Sequence, residues 1–220
     1  MEILIQEINL AQKNLYRGLQ SLKGRLPYSG NKKAKIWLTA DEHYHHKNII
    51  KYQNRPFSSV EEMDKALICQ HNNLVKPEDW TIHIGDFLFG SKEQFVAVVT
   101  QLNGYHAFLD GSHDYGLQEY FQNLEENANI KAVLLPKLFE FKYNQRKIVL
   151  CHYAMTKWWA SHYDSLHFHG HSHGKLAAGK NFRDVGVDTT NFNPILIDDA
   201  IASLDDAKME EMEKQSENPE

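Results

Sequence analysis

The sequence holds only two cysteines in 220 residues, Cys69 and Cys151. Two thiols that far apart make neither a disulfide framework nor a Cys-x-x-Cys zinc clip. They read as reduced, buried thiols, which suits a cytoplasmic protein. Long apolar runs are missing too. None approaches the roughly 18 residues of a membrane span. Met1-Glu2 is followed by only three apolar residues, Ile3-Leu4-Ile5, so no secretory leader is expected. There is also no surplus of positive charge: 24 Lys and Arg face 29 Asp and Glu, for a formal net charge of −5. Residues 201–220 carry seven acids and two lysines, which accounts for that whole excess and leaves the first 200 residues formally neutral. A basic footprint for long nucleic acid is therefore absent, although a small phosphorylated substrate is compatible. With 42% hydrophobic and 24% charged residues, the chain has the makings of one folded domain with a core.

What is abundant is histidine, 13 in all. Imidazole is the commonest protein metal ligand, so the positions of these residues carry information.

Three regions are expected. Over 1–34, Leu4, Ile8, Ala11, Leu15, Leu19 and Leu22 recur at helical spacing, and Gly24 stops the run before a connector at 25–34. That helix packs on the body or, in the alternative, joins two copies as a homodimer. Residues 35–199 form the main domain, and 200–220 an acidic tail, read as a frayed helix or disorder. Within the main domain, strand-length runs each end in polar residues. Ile36–Ala40 ends at Asp41-Glu42-His43, Trp80–Ile84 at Gly85-Asp86, and Tyr105–Leu109 at Asp110-Gly111-Ser112-His113-Asp114. Lys147–Cys151 ends at His152, and Leu166–His169 at Gly170-His171-Ser172-His173. Capping patterns Ser59-x-x-Glu62 and Ser91-x-x-Gln94 open helices between some of them. Alternating strands and helices predict an α/β layered fold, with its site at strand C-terminal ends.

Asp41 and His43 are two apart, as are His171 and His173, so each pair presents to one side of an extended segment. Asp86 adds a carboxylate able to bridge two ions, and His152 a further imidazole. Four imidazoles and two carboxylates, without a thiolate, suit Mn, Fe, Zn or Ni. Two such ions about 3.5–4 Å apart are a common device for phosphoester hydrolysis.

In this order, Asp-x-His, Gly-Asp, Gly-x-His-Asp, a lone histidine after a strand, and Gly-His-x-His resemble the calcineurin-like metallophosphoesterase family. His46-Lys47-Asn48-Ile49-Ile50, Arg55-Pro56-Phe57 and Val185-Gly186-Val187-Asp188 are similar to a small single-domain branch found in bacteria and phages. The resemblance covers roughly 35–198. It implies a β-sandwich flanked by helices and two divalent ions, with manganese foremost. Asp41, His43, Asp86 and His173 would hold the first ion, with Asp86 bridging. His152 and His171 would hold the second, helped by the residue at 112. The implied reaction is hydrolysis of a small phosphodiester or nucleotide by attack of a metal-bound hydroxide. His113 would protonate the leaving group and Asp114 would orient His113.

One departure matters. The family has asparagine where this chain has Ser112, a shorter and weaker donor. Asp110 stands as an alternative ligand or a plain turn residue. The stretch Phe87-Leu88-Phe89-Gly90 lacks the Asp-Arg pair of the Ser/Thr protein phosphatases and excludes that branch. Arg55 and His46 are candidate substrate contacts, against a surface ion pair for Arg55 and a polar loop role for His46. Asp188 either holds a ligand histidine or makes a turn. Tyr153, Trp158 and Trp159 either wall the pocket or pack. His167 and His169 read as strand residues or partners of ligands, and His71, His83 and His106 as packing or surface residues. The competing functions are a nuclease, and a catalytically weakened binding protein on the same fold because of Ser112.

Overall fold

A computed structural model describes residues 34–114, 116–122 and 131–217. The expected helix over 1–24 and all but the last residue of its connector lie outside them. The first sheet has the order β4-β3-β2-β1-β9. Its strands are β1 Ile36–Thr39, β2 Trp80–Ile84, β3 Tyr105–Leu109, β4 Ala132–Leu134 and β9 Ile195–Leu196. β1 to β4 run parallel, and β9 pairs antiparallel to β1. Parallel neighbours need crossovers. These are α1 Lys47–Tyr52 and α2 Val60–Leu74 after β1, α3 Lys92–Val99 after β2, and α4 Leu117–Gln122 after β3.

The second sheet has the order β5-β6-β7-β8, from Leu138–Tyr143, Arg146–Cys151, Leu166–His169 and Phe182–Asp184. β5 and β6 form a hairpin, while β6, β7 and β8 are parallel. The hairpin turns at Asn144 and Gln145, both with positive φ (46° and 68°), as a two-residue turn that follows strand twist requires.

The core lies between the two sheets. Leu38, Ile82, Ile84, Ala107 and Leu109 of the first pack with Phe139, Phe141, Leu150, Leu166 and Phe168 of the second. The outer face of the first sheet is covered by Met63 and Leu67 of α2 and Phe95, Val98 and Val99 of α3. Covered on both faces, β1 is buried along its whole length, which explains its unbroken apolar run. The two expected capping signals differ in outcome. Ser91 and Gln94 form a reciprocal box at α3. Ser59 caps α2 through the Glu62 amide, but the Glu62 carboxylate turns to the Ser58 amide, 2.8 Å away.

Two expectations are corrected. Residues 200–217 of the acidic tail are not disordered, and of its two readings the helix is the one seen: Ile197–Glu217 form helix α5, whose Ile197, Ala200 and Leu204 are core. The apolar positions of its first turns are few among acids, which makes the pattern weak in sequence. Nor are the thiols both buried: Cys69, off the Met63–Leu67–His71 face of α2, is exposed, and Cys151 is half-buried. Among the described residues, no helix is long and apolar enough to cross a membrane.

A bridge between Ala40 and Gly186, with the Val187 amide donating to the Ala40 carbonyl at 2.9 Å, joins the end of β1 to the end of β8. The C-terminal ends of β1–β3 and of β6–β8 therefore open onto one place.

Candidate metal centre

Beyond the strand ends, the loops continue to zip together. Amides of Asp41, His43 and Tyr44 donate to the carbonyls of Gly85, Asp86 and Phe87 at 3.1, 3.0 and 2.9 Å. Asp41 (φ 58°), His43 (φ 53°), Asp86 (φ 56°), His171 (φ 66°) and His173 (φ 46°) all adopt left-handed backbone conformations. Asp and His tolerate that region better than most residues, yet each instance costs of order 1–3 kcal/mol, which surrounding structure must offset. Of the two i, i+2 pairs, Asp41 and His43 turn to one cluster while His171 and His173 part to different ones. All four have left the strand, and left-handed turns aim them.

Two clusters result. In one, ligand atoms of Asp41, His43 and His173 lie within 4.8 Å of one another. In the other, Asp86, His152 and His171 meet the same limit. Asp86 stands between them, with Oδ2 3.7 Å from His43 Nε2 and 3.2 Å from His152 Nε2. His43 Nε2 and His152 Nε2 are buried without a hydrogen-bond partner. The short His152 Nε2–Asp86 Oδ2 approach is an ion pair when the imidazole is protonated. His152 Nδ1 lies 2.9 Å from the Ile84 carbonyl, which turns Nε2 toward the carboxylates, where a cation would take the place of its proton. Two buried imidazole nitrogens left unpaired beside carboxylates fit a bound cation, since an unsatisfied buried polar atom is otherwise costly.

The remaining cluster residues are held from behind. Asp188 Oδ2 lies 2.7 Å from His173 Nδ1, and Arg55 donates to Asp188 from Nε at 2.9 Å and Nη2 at 2.8 Å. The His171 amide donates to both Asp41 oxygens, at 3.0 and 2.8 Å. Gly170 and Gly186 allow this closeness: a Cβ on either would stand 2.7 or 2.5 Å from Asp41 Oδ2.

The electrostatics follow from burial. Burial raises Asp41 to about 7 although His173 and His152 oppose it. Burial lowers His43 to about 3 against the pull of Asp86. At Asp86, burial is outweighed by His152, the His113 amide and His43, so its carboxyl stays well below the usual range. At His152, burial is outweighed by Asp86 and Asp41, and the imidazole rises to about 9.

Three expected roles change. Ser112 Oγ donates to Asp86 Oδ2 at 2.8 Å, so its hydroxyl steadies the carboxylate between the clusters. Asp114 does not hold His113. Its carboxylate accepts from the amides of Asp86, Phe87 and Gly111 at 2.7, 2.9 and 2.8 Å and locks the β2 and β3 loops together. Arg55 is not a substrate clamp: it is buried, paired with Asp188 and bonded to the carbonyls of Asp41 and Glu42 at 2.6 and 2.9 Å. Asp110 pairs with Lys137 at 2.7 Å, away from both clusters.

His113 and His46 do reach the site. The His113 ring is exposed and 5.6 Å from that of His43, while its amide donates to Asp86 Oδ1 at 2.7 Å. The His46 ring lies 5.4 Å from His43, with a buried, unpartnered Nδ1. Tyr153 stands beside the second cluster, its exposed ring 4.7 Å from that of His171 and 5.0 Å from that of His152. Trp158 packs on His167, 5.2 Å away. Exposed Trp159 stacks under the Lys147 ammonium at 4.2 Å. His167 and His169 bond to backbone carbonyls of Val149 and Gly170. One network escaped sequence reasoning: Glu42 Oε1 meets His83 Nδ1 at 2.6 Å, and His83 Nε2 meets His106 Nδ1 at 3.1 Å. One histidine within each of two neighbouring apolar strands was its only signal.

No family model matches the chain. The fold resembles that of a protein of unknown function from Aquifex aeolicus, AQ665, with a TM-score of 0.58 and 19% identity over 76% of this chain and 98% of that one. A phosphoesterase from E. coli, YfcE, superposes more loosely, with a TM-score of 0.38 and 13% identity over 69% of this chain and 78% of its own. The uncharacterized protein MJ1445 of Methanocaldococcus jannaschii is 31% identical over 185 residues, spanning 80% of this chain and 94% of its relative. At that identity and coverage, the chain belongs to the family of MJ1445.

Proposed function

We propose that this protein is a metal-dependent phosphoesterase with the sandwich fold of the calcineurin-like metallophosphoesterases, acting on a small phosphoester. The observation that carries the reading is Asp86 Oδ2, which belongs to one three-residue cluster, 3.2 Å from the unpartnered His152 Nε2, and also stands 3.7 Å from the unpartnered His43 Nε2 of the other. Asp41, His43 and His173 would hold one divalent ion and His152 and His171 the other, with Asp86 in reach of both. Mn, Fe, Zn and Ni all suit these donors, and manganese is the first to test. Bound ions would supply an activated water and neutralise charge on the phosphoryl oxygens. Asp188 and Arg55 fix the His173 ring, and Ser112 and the His113 amide fix Asp86. The exposed His113 ring delivers a proton to the departing oxygen.

The test is turnover of bis-p-nitrophenyl phosphate by chelator-stripped protein, with and without Mn²⁺, beside Asp86→Asn. Restored turnover in the native protein, lost in the variant, is expected. Calorimetric titration with Mn²⁺ counts the ions. Ser112 supports a second reading, a weakened site that binds without hydrolysing, because its hydroxyl is already committed to Asp86. Binding of Mn²⁺ without turnover would select that reading.

A further inference from the structure

Beside the candidate centre, two aromatic side chains are left in water. Phe89 is 48% and Tyr52 62% exposed. Both rings flank His46: Phe89 at 4.8 Å, nearly edge-on, and Tyr52 at 6.3 Å. Phe89 also lies 6.4 Å from His113. The wall is continuous with the centre, because the His46 ring is 5.4 Å from His43.

Phe89 is held from both sides. Its amide donates to the Tyr44 carbonyl at 2.9 Å, and the next carbonyl, Gly90, accepts from the Tyr120 hydroxyl at 2.8 Å. Gly90 runs directly into the capped start of α3. Tyr52 closes α1, which Ile49 anchors in the core. Exposing fixed aromatic surface is unfavourable unless something covers it. Pre-set rings cost little entropy to use in binding.

The wall must also do what Arg55 does not. With Arg55 turned away into Asp188, its guanidinium is not offered to a substrate phosphate, and contacts to the rest of the substrate add to what the centre itself supplies. The His46 ring links Phe89, 4.8 Å away, to the candidate ligand His43, 5.4 Å away, so Phe89 is at most the sum of those two steps from His43. A nucleotide with its phosphate at the centre can bridge that reach through its sugar and set its base against Phe89. Every base offers a π-face, and stacking on an aromatic side chain needs no charge.

We infer that Phe89, with Tyr52 and His46 behind it, is a nucleobase platform, and that the substrate of this site is a nucleotide. The inference rests on the phosphoesterase reading. Stacking of one base is worth roughly tenfold in affinity.

The experiment measures competitive inhibition of Mn²⁺-dependent bis-p-nitrophenyl phosphate hydrolysis by AMP and by ribose 5-phosphate. The two share the sugar phosphate and differ by the base. AMP is expected to inhibit at about tenfold lower concentration than ribose 5-phosphate. In Phe89→Ala that ratio should fall to within about twofold, and Phe89→Trp should keep it. Equal inhibition in the native protein overturns the platform. So does a ratio that survives Phe89→Ala, or one that Tyr153→Ala abolishes instead. Absence of any metal-dependent turnover sinks the phosphoesterase reading itself and takes the platform with it, an outcome distinct from turnover with no preference for the base.

Discussion

His173 and Asp188 face each other at 2.7 Å, Nδ1 to Oδ2, and Arg55 grips the same carboxylate from behind. A carboxylate behind a ligand histidine fixes the ring and strengthens its outward nitrogen as a donor. Asp188→Asn keeps the shape and removes the charge. It should weaken metal binding about 10–100-fold, read by Mn²⁺ titration calorimetry. Arg55→Met leaves Asp188 buried without its cation and should cost about 3–5 kcal/mol of stability, measured by urea unfolding of metal-free protein. A variant of Arg55 that folds normally and changes only KM would restore the phosphate-clamp role that the structure denies it.

His113 and Asp114 are neighbours in sequence with separate tasks. His113→Ala should lower kcat about 10²–10⁴-fold on an alkyl phosphodiester, and less on p-nitrophenyl esters, whose leaving group needs little protonation. Asp114→Asn weakens three amide contacts across two loops. It should lose about 1–3 kcal/mol in thermal or urea unfolding, without moving the limb of the pH–rate profile that His113 sets. A shift of that limb in Asp114→Asn would show the direct pairing that the coordinates do not contain.

The candidate ligands were legible because their chemistry is local. Each sits within a few residues of an apolar run that ends, and the order of those runs carries the resemblance. The destination of Arg55 was not legible. Its partner Asp188 lies 133 positions away, and Arg55-Pro56-Phe57 reads the same whether the guanidinium faces a substrate or a carboxylate. The β5–β6 hairpin was missed because Asn144-Gln145 lacks the glycine that usually marks such a turn. Nothing in the sequence marks Glu42, which stands between two candidate ligands, as a partner of a histidine. The pairing of β1 with β2, which sets His83 opposite Thr39, brings the His83 ring to the Glu42 carboxyl, and His106 joins it diagonally from β3.

His71 offers a pH test away from the candidate centre. Burial pushes its imidazole down to about 4, against the Asn103 carbonyl 3.0 Å from Nε2, with His83 adding to the depression. In the unfolded chain it titrates near 6.5. Between those values the unfolded state binds the extra proton, so stability drains away as pH falls from about 6.5 to about 4. Below that window no more is lost, and above it the contribution is complete. His71→Gln keeps a group that can meet the Asn103 carbonyl and does not titrate. Relative to this variant, the native protein should lose about 3 kcal/mol across the window, since each pH unit is worth about 1.4 kcal/mol per proton. Urea unfolding of both proteins at several pH values measures it, and the titrations common to both cancel. Parallel curves would mean that His71 titrates normally in the fold.

Gly170 sets the tolerance of the whole centre. A Cβ there would stand 2.6 Å from the Ala40 Cβ and 2.7 Å from Asp41 Oδ2, closer than real contacts allow. Asp41 has nowhere to retreat, because it is fully buried and takes the His171 amide on both oxygens. Gly170→Ala must therefore push the Asp41 carboxylate or the His171 loop out of place. Overpacking of this kind costs about 1–3 kcal/mol in stability. The larger effect should fall on metal binding, because both clusters share that contact: Asp41 belongs to one and His171 to the other. The expected result is a variant that still unfolds cooperatively and binds Mn²⁺ at least about tenfold more weakly at both positions, as second-sphere distortions do. Loss at one position alone would mean that the two clusters respond independently, and that Asp41 and His171 are not mechanically linked through this loop.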